Sequence, residues 1–184
     1  MTHSIRRWIA PVLLASALGA LPMPVVAASA ATHAVAADHP RNFRTVEEGF
    51  YRGGKIESKE QLRLLRDQYG VKTVVCLAKD SVGPEGNNEF AWGQELGVTV
   101  IKSYMTDVAP KPEQWETIKQ AMIAKHVYVH CKWGADRTGA VVAKYRQEVE
   151  GWDARRAFAE ARKYGFKPWL KAFRKWINAP EDMK

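Results

Sequence analysis

The residues most able to do chemistry in this chain lie in one stretch, His130 to Gly139. Cys131 and Arg137 stand six positions apart in it, after the apolar run 127–129 and before the helix-like run 140–143. A strand that leads into a short loop and then a helix forms an anion site, because loop amides point inward and the helix N-terminus adds positive potential. The stretch therefore predicts an anion-binding loop between a cysteine and an arginine.

The two ends of this loop favour phosphate chemistry. The field that binds an anion also stabilises a thiolate, and such cysteines have pKa values of roughly 3.5–7.5 against about 8.5 for a free thiol. Arg137 offers a planar guanidinium that can hold two phosphate oxygens at once. Cys131 is thus the predicted nucleophile. The predicted phosphate-binding loop consists of Cys131, Lys132, Trp133, Gly134, Ala135, Asp136 and Arg137.

Alternating strand and helix patterns predict an α/β fold around this loop. The β-branched run Val71–Leu77 is typical of a strand that is covered on both faces. Further strands are predicted within 42–54, at 98–101 and at 127–129, and helices at 59–69, 89–96, 113–124, 138–149, 153–164 and 168–178. This order predicts a single domain with a mostly parallel central sheet of about four to five strands, flanked by helices.

Parallel strands place the loops that follow them at one edge of the sheet, where ligands bind. Cys131, Asp107 and Asp80 each follow a predicted strand in that sense. We therefore expect these residues to converge on one cleft.

The last predicted helix has large apolar residues at helical spacing, namely Trp169, Phe173, Trp176 and Ile177. A stripe of this kind is typical of a helix face that packs on the core, and we expect that role for it rather than cofactor binding.

The first thirty residues are predicted to be a secretory signal peptide. The pair Arg6-Arg7 is followed by the apolar stretch 8–21 and by a small-x-small cleavage site, Ala28-Ser29-Ala30. The apolar stretch is shorter than the roughly 20 residues that span a bilayer, so we expect no stable membrane anchor. We expect a flexible mature N-terminus at 31–41, a catalytic domain at 42–180, and a periplasmic or secreted protein.

The chain is basic, with 28 Lys and Arg residues against 20 Asp and Glu and a formal net charge of +8. Such a charge favours anionic partners in general. Much of the excess lies after residue 154, where it is typical of solvated helix faces, and no nucleic-acid-binding motif accompanies it. We therefore expect no nucleic-acid partner.

The loop residues resemble the Cys-x5-Arg-Ser/Thr signature of the cysteine-dependent protein tyrosine phosphatase superfamily. His130, Gly134, Thr138 and Gly139 match the residues that flank this signature. Segments 50–54, 71–75, 139–146 and 150–153 resemble the small periplasmic dual-specificity-type phosphatases of bacteria. The resemblance covers nearly all of the chain after the predicted leader.

The resemblance implies hydrolysis of phosphomonoesters through a phosphocysteine intermediate, with no cofactor and no metal. It implies a phosphorylated protein as substrate, carrying phosphotyrosine or also phosphoserine and phosphothreonine, and phosphate or vanadate as active-site anions. It also implies that the Thr138 hydroxyl stabilises the thiolate as it leaves the phosphoenzyme, and that His130 orients the loop. We expect a monomer.

A general acid must protonate the leaving oxygen, and three aspartates are candidates. Asp107, twenty-four positions before Cys131, resembles the mobile acid loop of dual-specificity phosphatases and is the first choice. Asp136 is the rival, since an aspartate beside the loop arginine is found in some bacterial members, but for Asp136 the role of an acceptor that fixes the loop is favoured. Asp80 ranks third.

Other uses of the histidines and cysteines are weaker. His126 and His130 are four apart, but the strand between them separates them by about 13 Å, which argues against a metal pair. Cys76 is predicted to be a small buried residue of a central strand. The alternative is a reversible disulfide with Cys131, a pairing that some relatives use.

Two alternatives to a protein phosphatase remain. The family's phosphoinositide-cleaving members also carry lysine at the position of Lys132, but they usually have a second lysine where this chain has Ala135. This favours phosphoproteins over inositol phosphates. A non-catalytic phospho-binding protein is the other alternative, and the presence of Cys131, Arg137 and a candidate acid argues against it.

Overall fold

A computed structural model describes residues 38–79 and 88–183 of the chain. The predicted signal peptide, most of the predicted mature N-terminus and Asp80 lie outside these residues. The elements of the described part are β1 Arg44–Glu47, β2 Phe50–Gly53, α1 Lys59–Tyr69, β3 Thr73–Cys76, α2 Asn88–Leu96, β4 Thr99–Lys102, α3 Pro112–Ile123, β5 Val127–His130, α4 Asp136–Glu148, α5 Ala154–Lys163 and α6 Lys171–Trp176. No helix in this part has the length and apolar character needed to cross a membrane.

The strands form one five-stranded sheet in the order β1-β2-β5-β3-β4. β1 is antiparallel to β2, and all other neighbours are parallel. The prediction of a mostly parallel sheet flanked by helices is therefore confirmed. The stretch 42–54 holds two strands where one was predicted, because Glu48 and Gly49 turn the chain back to form a hairpin.

The central strand β5 leads directly into the predicted phosphate-binding loop. All four of its residues are buried between β2 and β3, which explains its apolar sequence. In the parallel register His130 of β5 lies between two neighbours, Cys76 of β3 on one side and Gly53 of β2 on the other. Because β2, β3 and β5 are parallel, the residues that follow them meet at one edge of the sheet.

Hydrogen-bonding caps set the ends of two helices. The Ser58 hydroxyl accepts from the Gln61 amide at 3.2 Å, as its predicted position before α1 requires, and Asp153 accepts from the Arg156 amide at 2.9 Å before α5.

The predicted core role of the last helix is wrong for one residue. α6 begins only at Lys171, so Trp169 lies in the turn that precedes the helix and does not share its face. Phe173 and Ile177 are fully buried, but Trp169 is 68% exposed. Trp176 packs edge-on against Trp115 with ring centroids 5.2 Å apart. The apolar face of α6 therefore packs on the core through Phe173, Trp176 and Ile177, and Trp169 takes no part in this contact.

Candidate active site

The predicted phosphate-binding loop connects β5 to α4. Cys131 follows the strand directly and is 3% exposed, and the helix begins at Asp136. Thr138, in the first turn of the helix, is fully buried. The loop thus places a thiol in front of a helix N-terminus, an arrangement that favours an anion.

The surroundings of Cys131 stabilise its thiolate. Burial raises the pKa of the thiol, but hydrogen bonds from the Thr138 hydroxyl and amide and from the amides of Trp133 and Gly134 lower the pKa below its ordinary value. Among the described residues the Thr138 hydroxyl has no oxygen or nitrogen partner. It is therefore available to the sulfur of Cys131, and the predicted role of Thr138 in stabilising the leaving thiolate stays a prediction.

Arg137 and Asp107 meet across the opening of the loop. Arg137 Nη2 donates to Asp107 Oδ1 at 3.2 Å, and the Asp107 side chain is 71% exposed. Arg137 Nε is buried and has no partner in the described part of the chain. The arginine therefore has a donor left for a phosphate oxygen, and the Asp107 carboxylate lines the same cavity as Cys131.

Asp136, the rival acid, is held in a different way. Its Oδ1 accepts from the backbone amide of Lys167 at 2.9 Å, and its Oδ2 lies 3.6 Å from Lys167 Nζ. Both oxygens of Asp136 are therefore engaged by the turn that precedes α6. This geometry fits the alternative in which Asp136 fixes the loop.

One cavity of about 230 Å³ brings these side chains together. It is lined by Asp107, Cys131, Lys132, Trp133, Asp136, Arg137, Lys167, Trp169 and Leu170. The structure thus unites the predicted nucleophile, the predicted arginine and both aspartates. Sequence analysis did not predict that Lys167, Trp169 and Leu170 would line this cavity. They lie in a turn after α5, and no local sequence pattern shows against which part of the fold such a turn packs.

A buried arginine and an asparagine hold the loop from beneath. The Gly134 carbonyl accepts from Arg52 Nη2 at 2.8 Å and from Asn42 Nδ2 at 3.0 Å. Arg52 is 1% exposed and its guanidinium lies 5.0 Å from the centre of the Tyr164 ring. Burial lowers the pKa of Arg52 to about 10, while the carboxylate of Glu160 acts in the opposite direction. Sequence alone does not distinguish such an arginine from an exposed one.

Gly134 itself permits a close approach of two loops. Its φ is +69°, and a Cβ there would lie 2.6 Å from both the Gly53 carbonyl oxygen and the Gly54 nitrogen. No other residue fits this space without moving the backbone.

Behind the loop, His130 pairs with a glutamate that was not predicted. His130 Nε2 lies 3.0 Å from Glu89 Oε1, and the side chains are 0% and 3% exposed. Burial lowers the pKa of His130, but the Glu89 carboxylate and the nearby Cys76 raise it well above its ordinary value. Glu89 lies in the first turn of α2, where an acidic residue is usually exposed and stabilises the helix through its dipole. The sequence therefore does not indicate that Glu89 is buried.

The same region holds the one group of three potential metal ligands found among residues 38–79 and 88–183. Donor atoms of Cys76, Glu89 and His130 lie within 4.8 Å of one another, and all three residues are buried. Sulfur, imidazole and carboxylate ligands together suit a divalent ion such as zinc. The His130 imidazole is already engaged at both nitrogens, since Nε2 contacts Glu89 Oε1 at 3.0 Å and Nδ1 lies 3.4 Å from the Cys131 carbonyl oxygen. His126 lies apart from this group, exposed and bonded to the Gly70 carbonyl at 3.1 Å.

Both cysteines are buried free thiols. Cys76 Sγ donates to the Ala78 carbonyl at 3.4 Å. The predicted burial of Cys76 is confirmed, and the reversible disulfide with Cys131 remains only the alternative.

A buried cysteine and an arginine at the two ends of a strand-to-helix loop, on this α/β sheet, are typical of the cysteine-dependent phosphatases. Residues 24–174 match the family model described as "DSP-PTPase phosphatase fused to NAD+ Kinase". The chain is 32% identical over 177 residues to the dual specificity protein phosphatase TpbA of Pseudomonas aeruginosa, covering 90% of this chain and 77% of TpbA. The chain therefore belongs to the DSP-PTPase family and is a protein tyrosine/dual-specificity phosphatase.

Other relatives include inositol phosphatases. The chain is 32% identical over 137 residues to the inositol diphosphatase DSP1 of rice, Oryza sativa subsp. japonica, a match that covers 68% of this chain and 57% of the relative. Two solved structures share the fold. The crystal structure of TpbA has a TM-score of 0.61 and 24% identity, covering 80% of this chain and 90% of TpbA. The catalytic core of the PP-IP phosphatase SIW14 from S. cerevisiae, with citrate, has a TM-score of 0.64 and 19% identity over 80% and 90% of the two chains.

Proposed function

We propose that this chain is an exported phosphatase that hydrolyses phosphotyrosine, and also phosphoserine and phosphothreonine, in proteins through a phosphocysteine intermediate. One observation carries the proposal: Cys131, Arg137 and Asp107 line a single cavity of about 230 Å³. A crystal structure of a TpbA variant in complex with pTyr is among the similar solved structures, which supports a phosphorylated substrate. The signal-peptide pattern of residues 1–30 supports export.

The first step transfers the phosphoryl group to sulfur. The Cys131 thiolate attacks phosphorus in line, the S–P bond forms, and the bond from phosphorus to the leaving oxygen breaks. Arg137 and the loop amides hold the phosphoryl oxygens as charge develops on them. Asp107 donates its proton to the leaving oxygen, so that the alcohol departs neutral.

The second step returns the enzyme to its starting state. Water attacks phosphorus, the S–P bond breaks, and inorganic phosphate is released. Asp107, now a carboxylate, takes a proton from the attacking water. The electron pair of the broken bond returns to Cys131, where the hydrogen bond from the Thr138 hydroxyl stabilises the thiolate.

Inositol phosphates are a second candidate substrate because three cations line the cavity. Lys132, Arg137 and Lys167 could together hold more than one phosphate group, and Lys167 comes from a segment outside the loop. Trp133 and Trp169 line the same cavity and favour an aromatic substrate instead. The aromatic pair makes phosphotyrosine the first choice.

The test compares the whole chain with its Cys131→Ser variant on three substrates in EDTA: a phosphotyrosine peptide, a phosphoserine peptide and an inositol polyphosphate. We expect turnover of the phosphotyrosine peptide to be fastest, inhibited by vanadate and abolished in the variant. Acid quenching followed by mass spectrometry is expected to find a phosphoryl group on Cys131. Full activity of Cys131→Ser would exclude the mechanism, and faster turnover of the inositol phosphate would exclude the proposed substrate.

Export has a separate test. The full chain and a chain that begins at residue 31 are each expressed in a Gram-negative host, and the periplasmic and cytoplasmic fractions are assayed. We expect phosphatase activity in the periplasm only for the full chain. Activity of the full chain in the cytoplasm alone would contradict export.

A further inference from the structure

The turn Lys167–Leu170, which precedes α6, presents an exposed aromatic residue on a fixed backbone. Trp169 is 68% exposed and lines the cavity of the active site. On either side of the turn the chain is anchored in the core, since Phe166 and Phe173 are fully buried. Because Trp169 lines the cavity that also holds Cys131 and Arg137, its exposed ring is available to a bound substrate.

Hydrogen bonds at each of its four residues fix the backbone of this turn, including one from the Lys171 amide to the Trp169 carbonyl at 2.9 Å. The Lys167 amide donates to Asp136 Oδ1 at 2.9 Å, and the Lys167 carbonyl accepts from the Leu170 amide at 3.3 Å. The Pro168 carbonyl accepts from Arg174 Nη1 at 3.3 Å. Asp136, which accepts the bond from the Lys167 amide, directly precedes Arg137 in the phosphate-binding loop. Asp136 therefore sets the position of the turn relative to the bound phosphate.

A second tryptophan lines the same cavity and comes from the phosphate-binding loop. Trp133 is 49% exposed, and the Arg41 guanidinium lies 4.6 Å from the centre of its ring. Lys132 Nζ lies 5.7 Å from the same ring. Trp133 is thus braced by cations, whereas no cation lies over the Trp169 ring among the described residues. Trp169 keeps its face for another ligand.

We propose that the turn Lys167–Leu170 recognises the aromatic ring of phosphotyrosine, with Trp169 as the specificity-determining residue and Asp136 as the positioning residue. This inference rests on the proposed phosphotyrosine phosphatase activity. The ring of the substrate packs against Trp169 while its phosphate occupies the loop at Arg137. A substrate without a ring makes the phosphate contacts alone.

The experiment measures the KM of a phosphotyrosine peptide and the inhibition constant of inorganic phosphate, which occupies the loop without a ring. We expect Trp169→Ala to raise the ratio of KM to this inhibition constant by about 3- to 10-fold, the effect of losing one aromatic contact. Ile123→Ala, which removes an exposed apolar side chain outside the cavity, serves as the control and is expected to leave the ratio unchanged. An unchanged ratio in Trp169→Ala would overturn the assignment.

Asp136 is tested by two substitutions that separate positioning from proton transfer. Asp136→Ala removes the acceptor of the Lys167 amide, whereas Asp136→Asn keeps an acceptor oxygen but has no titratable proton. We expect Asp136→Ala to raise the ratio of KM to the inhibition constant, as Trp169→Ala does. Asp136→Asn is expected to have a ratio close to that of the wild type. An equal loss of kcat in both variants would make Asp136 an acid and overturn the positioning role. Absence of phosphotyrosine turnover by the wild-type chain would instead refute the proposed function.

Discussion

The inner side of the phosphate-binding loop and the mouth of its cavity are built in opposite ways. On the inner side, four residues are at most 3% exposed: Arg52 donates to the Gly134 carbonyl, His130 and Thr138 flank the loop, and Glu89 contacts His130. At the mouth, Asp107, Trp133, Lys167 and Trp169 are each about half exposed or more and come from three separate loops.

This difference separates the residues that fix the loop and its thiolate from the residues that meet the substrate. Buried groups hold hydrogen bonds at low dielectric, where they tune the thiolate and fix the loop with little movement. Exposed groups have small interaction energies with the protein and remain free to contact a substrate. We therefore expect substitutions on the inner side to lower the free energy of unfolding, and substitutions at the mouth to change the kinetics alone.

The largest loss of stability is expected for Gly134→Ala. The left-handed backbone and the contact of a Cβ with Gly53 and Gly54 together lower the free energy of unfolding by about 4 kcal/mol. Gly97→Ala is the matched control, because Gly97 has φ +68° and nothing within 4 Å of the added Cβ. It is expected to lose only roughly 1–2 kcal/mol, the backbone component. Equal losses in urea denaturation would show that the loop is not tightly packed on β2.

The next largest effect is expected for Glu89→Gln, which removes the charge beside buried His130. Near pH 6 we expect the free energy of unfolding to fall by about 3 kcal/mol. The raised pKa of His130 contributes stability that is complete below the unfolded value of about 6.5 and is lost as the pH rises through the folded value. The difference between wild type and variant should therefore shrink above about pH 6.5, as measured by urea denaturation at several pH values.

The control for this substitution lies on the same helix. Glu95 pairs with Lys59 at the surface, where their side chains are 54% and 31% exposed. Glu95→Gln is expected to change the free energy of unfolding by less than about 1 kcal/mol at any pH tested. A pH-independent loss in Glu89→Gln would contradict a charged His130.

The sequence predicted the strand, loop and helix around Cys131 because each has a local signal. An apolar run, a loop of seven residues from Cys131 to Arg137 and a threonine at the start of a helix can be recognised without knowing any distant contact. The sheet followed from the alternation of strands and helices. The hairpin partner β1 was missed, since four residues of mixed burial have no clear periodicity.

The residues that were missed act across long separations in the chain. Glu89 contacts a residue 41 positions away, and Arg52 contacts one 82 positions away. Trp169 was assigned to the core because its spacing matched Phe173 and Ile177, but the helix that would justify this spacing begins two residues later. Burial of a charged side chain and the start of a short helix depend on tertiary packing, which local patterns do not contain.

A smaller effect on stability is expected for Thr138→Ala, since loss of one hydrogen bond lowers the free energy of unfolding by about 1 kcal/mol. The larger consequence is on the thiol, because the Thr138 hydroxyl lowers the pKa of Cys131. The rate of alkylation of Cys131 by iodoacetamide, followed by peptide mass mapping, should titrate at a higher pH in the variant. Thr117→Ala on α3, whose hydroxyl bonds only the Glu113 carbonyl among the described residues, is the control. If the pH profile of alkylation is the same in Thr138→Ala as in the wild type, the loop amides alone lower the pKa of Cys131.

The smallest effect on stability is expected for Asp107→Asn at the mouth. Its exposed ion pair with Arg137 contributes at most about 1 kcal/mol, so the free energy of unfolding should hardly change. The kcat for a phosphotyrosine peptide should nevertheless fall by about 10²–10⁴, the usual contribution of a general acid. With p-nitrophenyl phosphate the loss should be smaller, because a better leaving group needs less protonation. An equal loss of kcat with both substrates would show that Asp107 is not the general acid. A large loss of stability would show that Asp107 has a structural role like that of the inner residues.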